Sequence, residues 1–92
     1  MPEGGPLKHN ARLKAAYLEV VENQLRDNNP PETRRTLDRL RAEGISEKDA
    51  KVLIASAIAS ETYQAMKFKM PFSNERFVRN LNRLPDQSFE KD

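Results

Sequence analysis

Apolar positions recur three and four residues apart over four stretches of the chain, and no stretch alternates apolar with polar for five or more residues. That spacing marks one face of an α-helix. The first stretch predicts a helix from Asn10 to Asp27, with Asn10 as its N-cap and Leu13, Tyr17, Val20, Val21 and Leu25 as its buried stripe. Asp27-Asn28-Asn29-Pro30-Pro31 stops it, because Pro30 disfavours helical geometry at Asn29. A second helix is predicted from Pro31 to Glu43. Pro31 suits the first helical position, where its missing N–H is no loss, Glu32 complements the helix dipole, and Gly44 is the expected left-handed terminator. Its apolar side is thin: Thr33, Leu37 and Leu40, then Ile45 past the glycine.

The third helix is predicted from Ser46 to Lys67. Ser46 and Asp49 resemble a capping box, with Asp in place of the usual Glu or Gln. The run Val52 to Ala59 is apolar almost all round, the mark of a helix enclosed by others. A fourth helix is predicted from Ser73 to Leu84, capped by Ser73, ended by Pro85 and buried through Phe77, Leu81 and Leu84. Just before it, Phe68, Met70, Pro71 and Phe72 form an apolar elbow that is expected to pack on the core. The short connections make neighbouring helices antiparallel. The predicted architecture is therefore all-α: a compact bundle of four helices with helix 3 central, the first two forming a hairpin against it and the fourth returning over one side. Residues 1–9, which include Pro2, Gly4, Gly5 and Pro6, are expected to be a disordered leader. Residues 10–85 form a single domain, and residues 86–92 are expected to be a flexible tail.

Composition narrows the function more by exclusion than by pointing. The 92 residues suffice for one small domain. With no cysteine there is no disulfide framework, thiolate metal site or thiol nucleophile, which accords with a reducing, cytoplasmic location. No apolar run approaches the roughly 18–20 residues of a membrane span, and the start has no apolar signal region, so neither membrane nor secretion is expected. The one histidine, His9, has no neighbour to hold it as a general base. Glu19 and Glu22 share a helix face, and Asp38 and Glu43 are a second carboxylate pair, but solvated charge explains both. Three glycines, Gly4, Gly5 and Gly44, cannot build a phosphate loop. The second and third helices do not read as a helix-turn-helix, because the run Val52 to Ala59 leaves no polar face to meet base edges. The expectation is no enzyme, no metal and no cofactor.

Charge is uneven along the chain. Arg34, Arg35, Arg39 and Arg41 are interleaved with Asp38 and Glu43 at ion-pair spacings. The segment 67–83 is less balanced: Lys67, Lys69, Arg76, Arg79 and Arg83 stand against Glu75 alone, in a chain whose net charge is only +2. Arg76, Arg79 and Arg83 fall at i, i+3 and i+7, on one helix face. These five residues are the candidate binding cations, for phosphates, an acidic partner or an anionic membrane. The competing expectation is that the arginines pair with Glu61, Asp49 or the acidic tail. Between Val21 and Leu25, Glu22 or Gln24 is expected to bond the backbone of the Pro30-Pro31 loop.

The run Val21-Glu22-Asn23-Gln24-Leu25, then Pro30-Pro31-Glu32, then Leu37, Leu40 and Gly44 and the alanine-rich third helix, resembles a small bacterial all-helical domain family of unknown function. The resemblance spans roughly residues 10–84 and implies a bacterial cytoplasmic domain with no established activity. The family's histidines on the first helix, and its H-E-x-x-H-like run opening the third, are missing. Asn10, Lys14 and Leu18, and Lys48-Asp49-Ala50-Lys51-Val52, stand there instead. The resemblance therefore implies no metal for this chain.

The leading expectation is a non-catalytic protein–protein interaction module, binding an unknown protein partner or itself, with Phe68, Met70 and Phe72 as the apolar contact. The alternative is nucleic-acid or polyanion binding through the basic face of the last helix.

Overall fold

A computed structural model describes residues 10–90. His9, the leader and the last two residues of the tail lie outside them. The described residues form four helices: α1 (Ala11–Asp27), α2 (Pro31–Ala42), α3 (Glu47–Phe68) and α4 (Asn74–Arg83). Each start has a local cause. The side chains of Asn10, Ser46 and Ser73 accept the backbone N–H of Leu13, Asp49 and Arg76. Pro31 opens α2, and Gly44 follows it at φ +93, in the left-handed region that L side chains avoid.

The bundle is all-α and α3 is its centre, packed on each of the other three helices, while α1 and α4 are not packed on each other. Its 22 residues rise about 33 Å, close to the 35 Å longest dimension of the molecule. Ala50, Ile54, Ala55, Ala57, Ile58 and Ala59 are buried on its several sides. Val21 and Leu25 of α1, Leu37 and Leu40 of α2, and Phe77 and Leu81 of α4, with Leu84 just beyond it, close over them.

One stripe differs from the sequence pattern. Leu13 and Val20 are exposed rather than buried, leaving Val21 and Leu25 as the buried residues of α1 with Tyr17 and Leu18 half-buried against the core. The reason is angular. At about 100° per residue Tyr17, Leu18 and Leu25 lie within about 60° of Val21, whereas Leu13 and Val20 lie about 80° and 100° to one side of it, past the edge of the covered face. Lys51, near the start of α3, meets Glu22, near the end of α1, so the helices run antiparallel, α1 begins about level with residue 62, and the last turns of α3 outrun it. Gln24 reaches α2, but its carbonyl accepts the Thr33 hydroxyl at 2.7 Å rather than a bond from the loop backbone.

Burial at the core and exposure at the elbow separate two substitutions. Phe77→Ala is expected to lower unfolding free energy by about 3–5 kcal/mol, and Phe68→Ala by less than about 1 kcal/mol. Urea denaturation followed by circular dichroism measures both.

Candidate functional site

At its C-terminal end α3 turns polar inside. Glu61 is fully buried and accepts three hydrogen bonds, all from the start of α4. The Ser73 backbone N–H reaches Oε2 at 2.8 Å, and Arg76 donates from Nε to Oε1 at 2.7 Å and from Nη2 to Oε2 at 3.0 Å. The guanidinium is itself 7% exposed. This paired, bidentate geometry satisfies a carboxylate that has lost its water. It also fastens the first turn of α4 to α3.

The segment between them has no such freedom to bury itself. Lys69 ends α3 in the left-handed conformation at φ 53, and the Met70 N–H returns to the Ala65 carbonyl at 2.9 Å. Phe72 meets Phe77 edge-on at 5.6 Å between ring centroids, yet Phe68, Met70 and Phe72 each remain more than 40% exposed. The expected packing of the elbow on the core is thus only partial. With Met66 at 74% and Tyr63 at 57% exposed, five large apolar side chains face outward within ten residues. Lys67 lies across them, its Nζ 5.8 Å from the Tyr63 ring centroid and 5.4 Å from that of Phe68.

The five candidate cations do not share one face. Arg76 is buried against Glu61, and this corrects its place in an exposed basic stripe. At about 100° per residue it lies about 60° from Arg79 but only about 40° from Asn80, on the margin of the buried side. Arg79 is bound by Glu90, from Nη2 to Oε1 at 2.6 Å. Arg83 donates from Nη1 to the Ser88 carbonyl at 2.8 Å. Lys67 and Lys69 stay exposed, with no carboxylate at ion-pair distance among the described residues.

The tail supplies these contacts. Residues 86–90, expected to trail freely, lie back over α4. Phe89 is half-buried against the core, and the Glu90 N–H donates to Asn80 Oδ1 at 2.7 Å. The hydrogen bond from Arg79 holds the Glu90 carboxyl below its ordinary value, and Glu90 raises Arg79 in turn. Asp86 is lowered by the Ser88 hydroxyl and amide.

Two shallow grooves lie elsewhere. One, about 410 Å³, runs between α2 and α4 and is lined by Glu32, Arg35, Thr36, Arg39, Val78 and Asn82. Arg39 donates there to the Leu81 and Leu84 carbonyls, each at 2.9 Å, capping the end of α4, and it also pairs with Glu43. The other, about 440 Å³, lies between α1 and the start of α3. It is lined by Lys14, Leu18, Lys48, Lys51 and Val52 among others. Lys51 bonds Glu22 and Glu47 in it, and both raise its ammonium above the ordinary value. Among the described residues no three Asp, Glu, His or Cys side chains gather as a metal-holding group. An enzyme or metal site built on Glu19, Glu22 and Glu61 would need these carboxylates to converge, but Glu22 and Glu61 stand far apart: Lys51, the partner of Glu22, is about 15 Å along α3 from Glu61.

No family model, curated protein or solved structure matches the chain.

Two predictions follow from the latch and the tail. Glu61→Gln leaves the Arg76 charge buried and is expected to lower stability by about 3–5 kcal/mol. Glu61→Leu with Arg76→Met removes both charges and is expected to recover most of that loss, leaving about 1 kcal/mol for the unpaired Ser73 N–H; urea denaturation distinguishes them. For the tail, a carboxyl whose folded value is depressed stabilises fully above its unfolded value and ceases to do so as pH falls through the folded one. The Glu90 amide resonance is therefore expected to keep its docked position down to the ordinary glutamate range, about pH 4.3, and to move to a free-chain position below it. Glu90→Gln is expected to weaken the Arg79 contact already at neutral pH.

Proposed function

We propose that the protein is a non-catalytic protein-interaction module that offers the elbow between α3 and α4 to a partner. The observation that carries this is the joint exposure of Tyr63, Met66, Phe68, Met70 and Phe72 at one projecting end of the bundle. Large apolar side chains clustered in water mark contact surfaces, and aromatic residues and methionine are the types that interfaces favour. The latch below makes the surface firm, because Glu61 holds both strands of the chain that enter and leave it. The separation of Glu22 from Glu61 supports the non-catalytic part of the reading. Polyanion binding through α4 has less support, since Arg76, Arg79 and Arg83 are all engaged within the chain. No helix among the described residues is long and apolar enough to cross a membrane. The lack of cysteine accords with the cytoplasm, where we place the module.

Photocrosslinking in the cells that make the protein tests this. A photoreactive phenylalanine analogue is placed at Met66 or Phe68 and, as a control, at Arg12, which is exposed on α1. Discrete adducts from positions 66 and 68, absent from position 12, are expected; an adduct of twice the chain mass is the self-associating form of the same module. No adduct, or the same adducts from all three positions, overturns the reading.

A further inference from the structure

We propose that the elbow receives an acidic amphipathic segment of another protein, with apolar side chains packing on Met66, Phe68, Met70 and Phe72 and carboxylates pairing with Lys67 and Lys69. The inference rests on the elbow being a protein-contact surface and adds the chemistry of what docks there.

Charge complementarity carries it. From residue 62 to residue 74 the chain has two lysines and no acidic residue. Lys67 and Lys69 are exposed, and elsewhere in the described chain the cations near carboxylates have used them: Lys51 takes Glu22 and Glu47, Arg76 takes Glu61, Arg79 takes Glu90. Lys67 instead lies over the Tyr63 and Phe68 rings, so the positive charge stands among the apolar side chains and not on a separate face. A ligand that covers the rings must also meet the Lys67 ammonium, with Lys69 two residues further along the exposed chain. Carboxylates set beside an apolar stripe do so, as on one face of an amphipathic helix laid against an apolar surface.

The same features count against other occupants. A second copy docked elbow to elbow would set two lysines on each side against a segment with no acidic residue, so the two patches lack charge complementarity. An anionic bilayer is recognised by clusters of about four to eight basic residues, and two are present. Single-stranded nucleic acid needs a cationic track beside its stacking platform. The arginines that would extend one are bound to Glu61, Glu90 and the Ser88 carbonyl.

Fluorescence anisotropy with the full chain tests the proposal. The probes are three labelled amphipathic helices of one apolar face, flanked by Glu, by Gln or by Lys. The Glu peptide is expected to bind roughly three- to tenfold more tightly than the Gln peptide at low salt, as two rim ion pairs supply, and the Lys peptide more weakly than either. The preference should shrink as salt rises and vanish in Lys67→Gln/Lys69→Gln. Phe68→Ser should weaken all three peptides. Both lysines and Phe68 are exposed, and thermal melting by circular dichroism verifies that the variants fold.

Equal binding of the Glu and Gln peptides overturns the acidic partner while leaving an apolar contact surface in place. Binding only to a mixed-sequence oligonucleotide or to phosphatidylserine vesicles overturns it in favour of those occupants. Self-association that competes with the peptides overturns it in favour of a second copy. Silence from every peptide overturns it too, and crosslinks from positions 66 and 68 then show whether the broader reading survives.

Discussion

A carboxylate deprived of water must find its hydrogen bonds inside the protein or destabilise the fold. Glu61 finds all of its own in the first turn of α4, from the Ser73 amide and the Arg76 guanidinium. Much of the geometry at this end of the molecule follows from that choice. With Ser73 held beside Glu61, the chain must leave the end of α3, reverse and come back within a few residues. Lys69 makes the reversal in a left-handed conformation, and Phe68, Met70 and Phe72 lie on the outside of the bend. The exposed apolar surface is thus the outer side of a turn whose inner side is an ion pair.

Local chemistry was easy to read in the residues. The three polar N-caps, the proline opening α2 and the glycine after it each act on neighbours within four positions, so their roles need no knowledge of the fold. The apolar run Val52 to Ala59 named the central helix for a similar reason: a helix with no polar side has to be enclosed. Leu13 and Val20 were misleading because three- and four-residue spacing marks a broad apolar side, and only the part of it nearest Val21 is covered by the neighbouring helices.

The candidate surface was only half legible. The cluster of Phe68, Met70 and Phe72 and the surplus of positive charge after residue 66 are both visible in sequence. How that charge divides is not. Arg76 belongs by spacing to both the arginine stripe and the buried stripe of α4, and its fate depends on Glu61, fifteen residues away. Arg79 depends on Glu90 at the far end of a segment with no regular structure. Such pairings are set by how the helices meet, so sequence spacing can suggest them but cannot choose among them. Lys67 and Lys69 emerge as the free pair only once the arginines have been accounted for.

The alanines of α3 carry a different consequence, for how the protein can change over generations. Ala50, Ala55, Ala57 and Ala59 are buried where neighbouring helices come close. A larger side chain there overpacks the core, and glycine, the one smaller residue, weakens the helix by about 1 kcal/mol. Drift is blocked in both directions. The exposed faces of the outer helices, with their solvated charge, have no comparable limit. Descendants of this chain would keep small residues on several sides of the central helix while the exposed faces around it diverged, so that those positions would be among the last traces of shared ancestry.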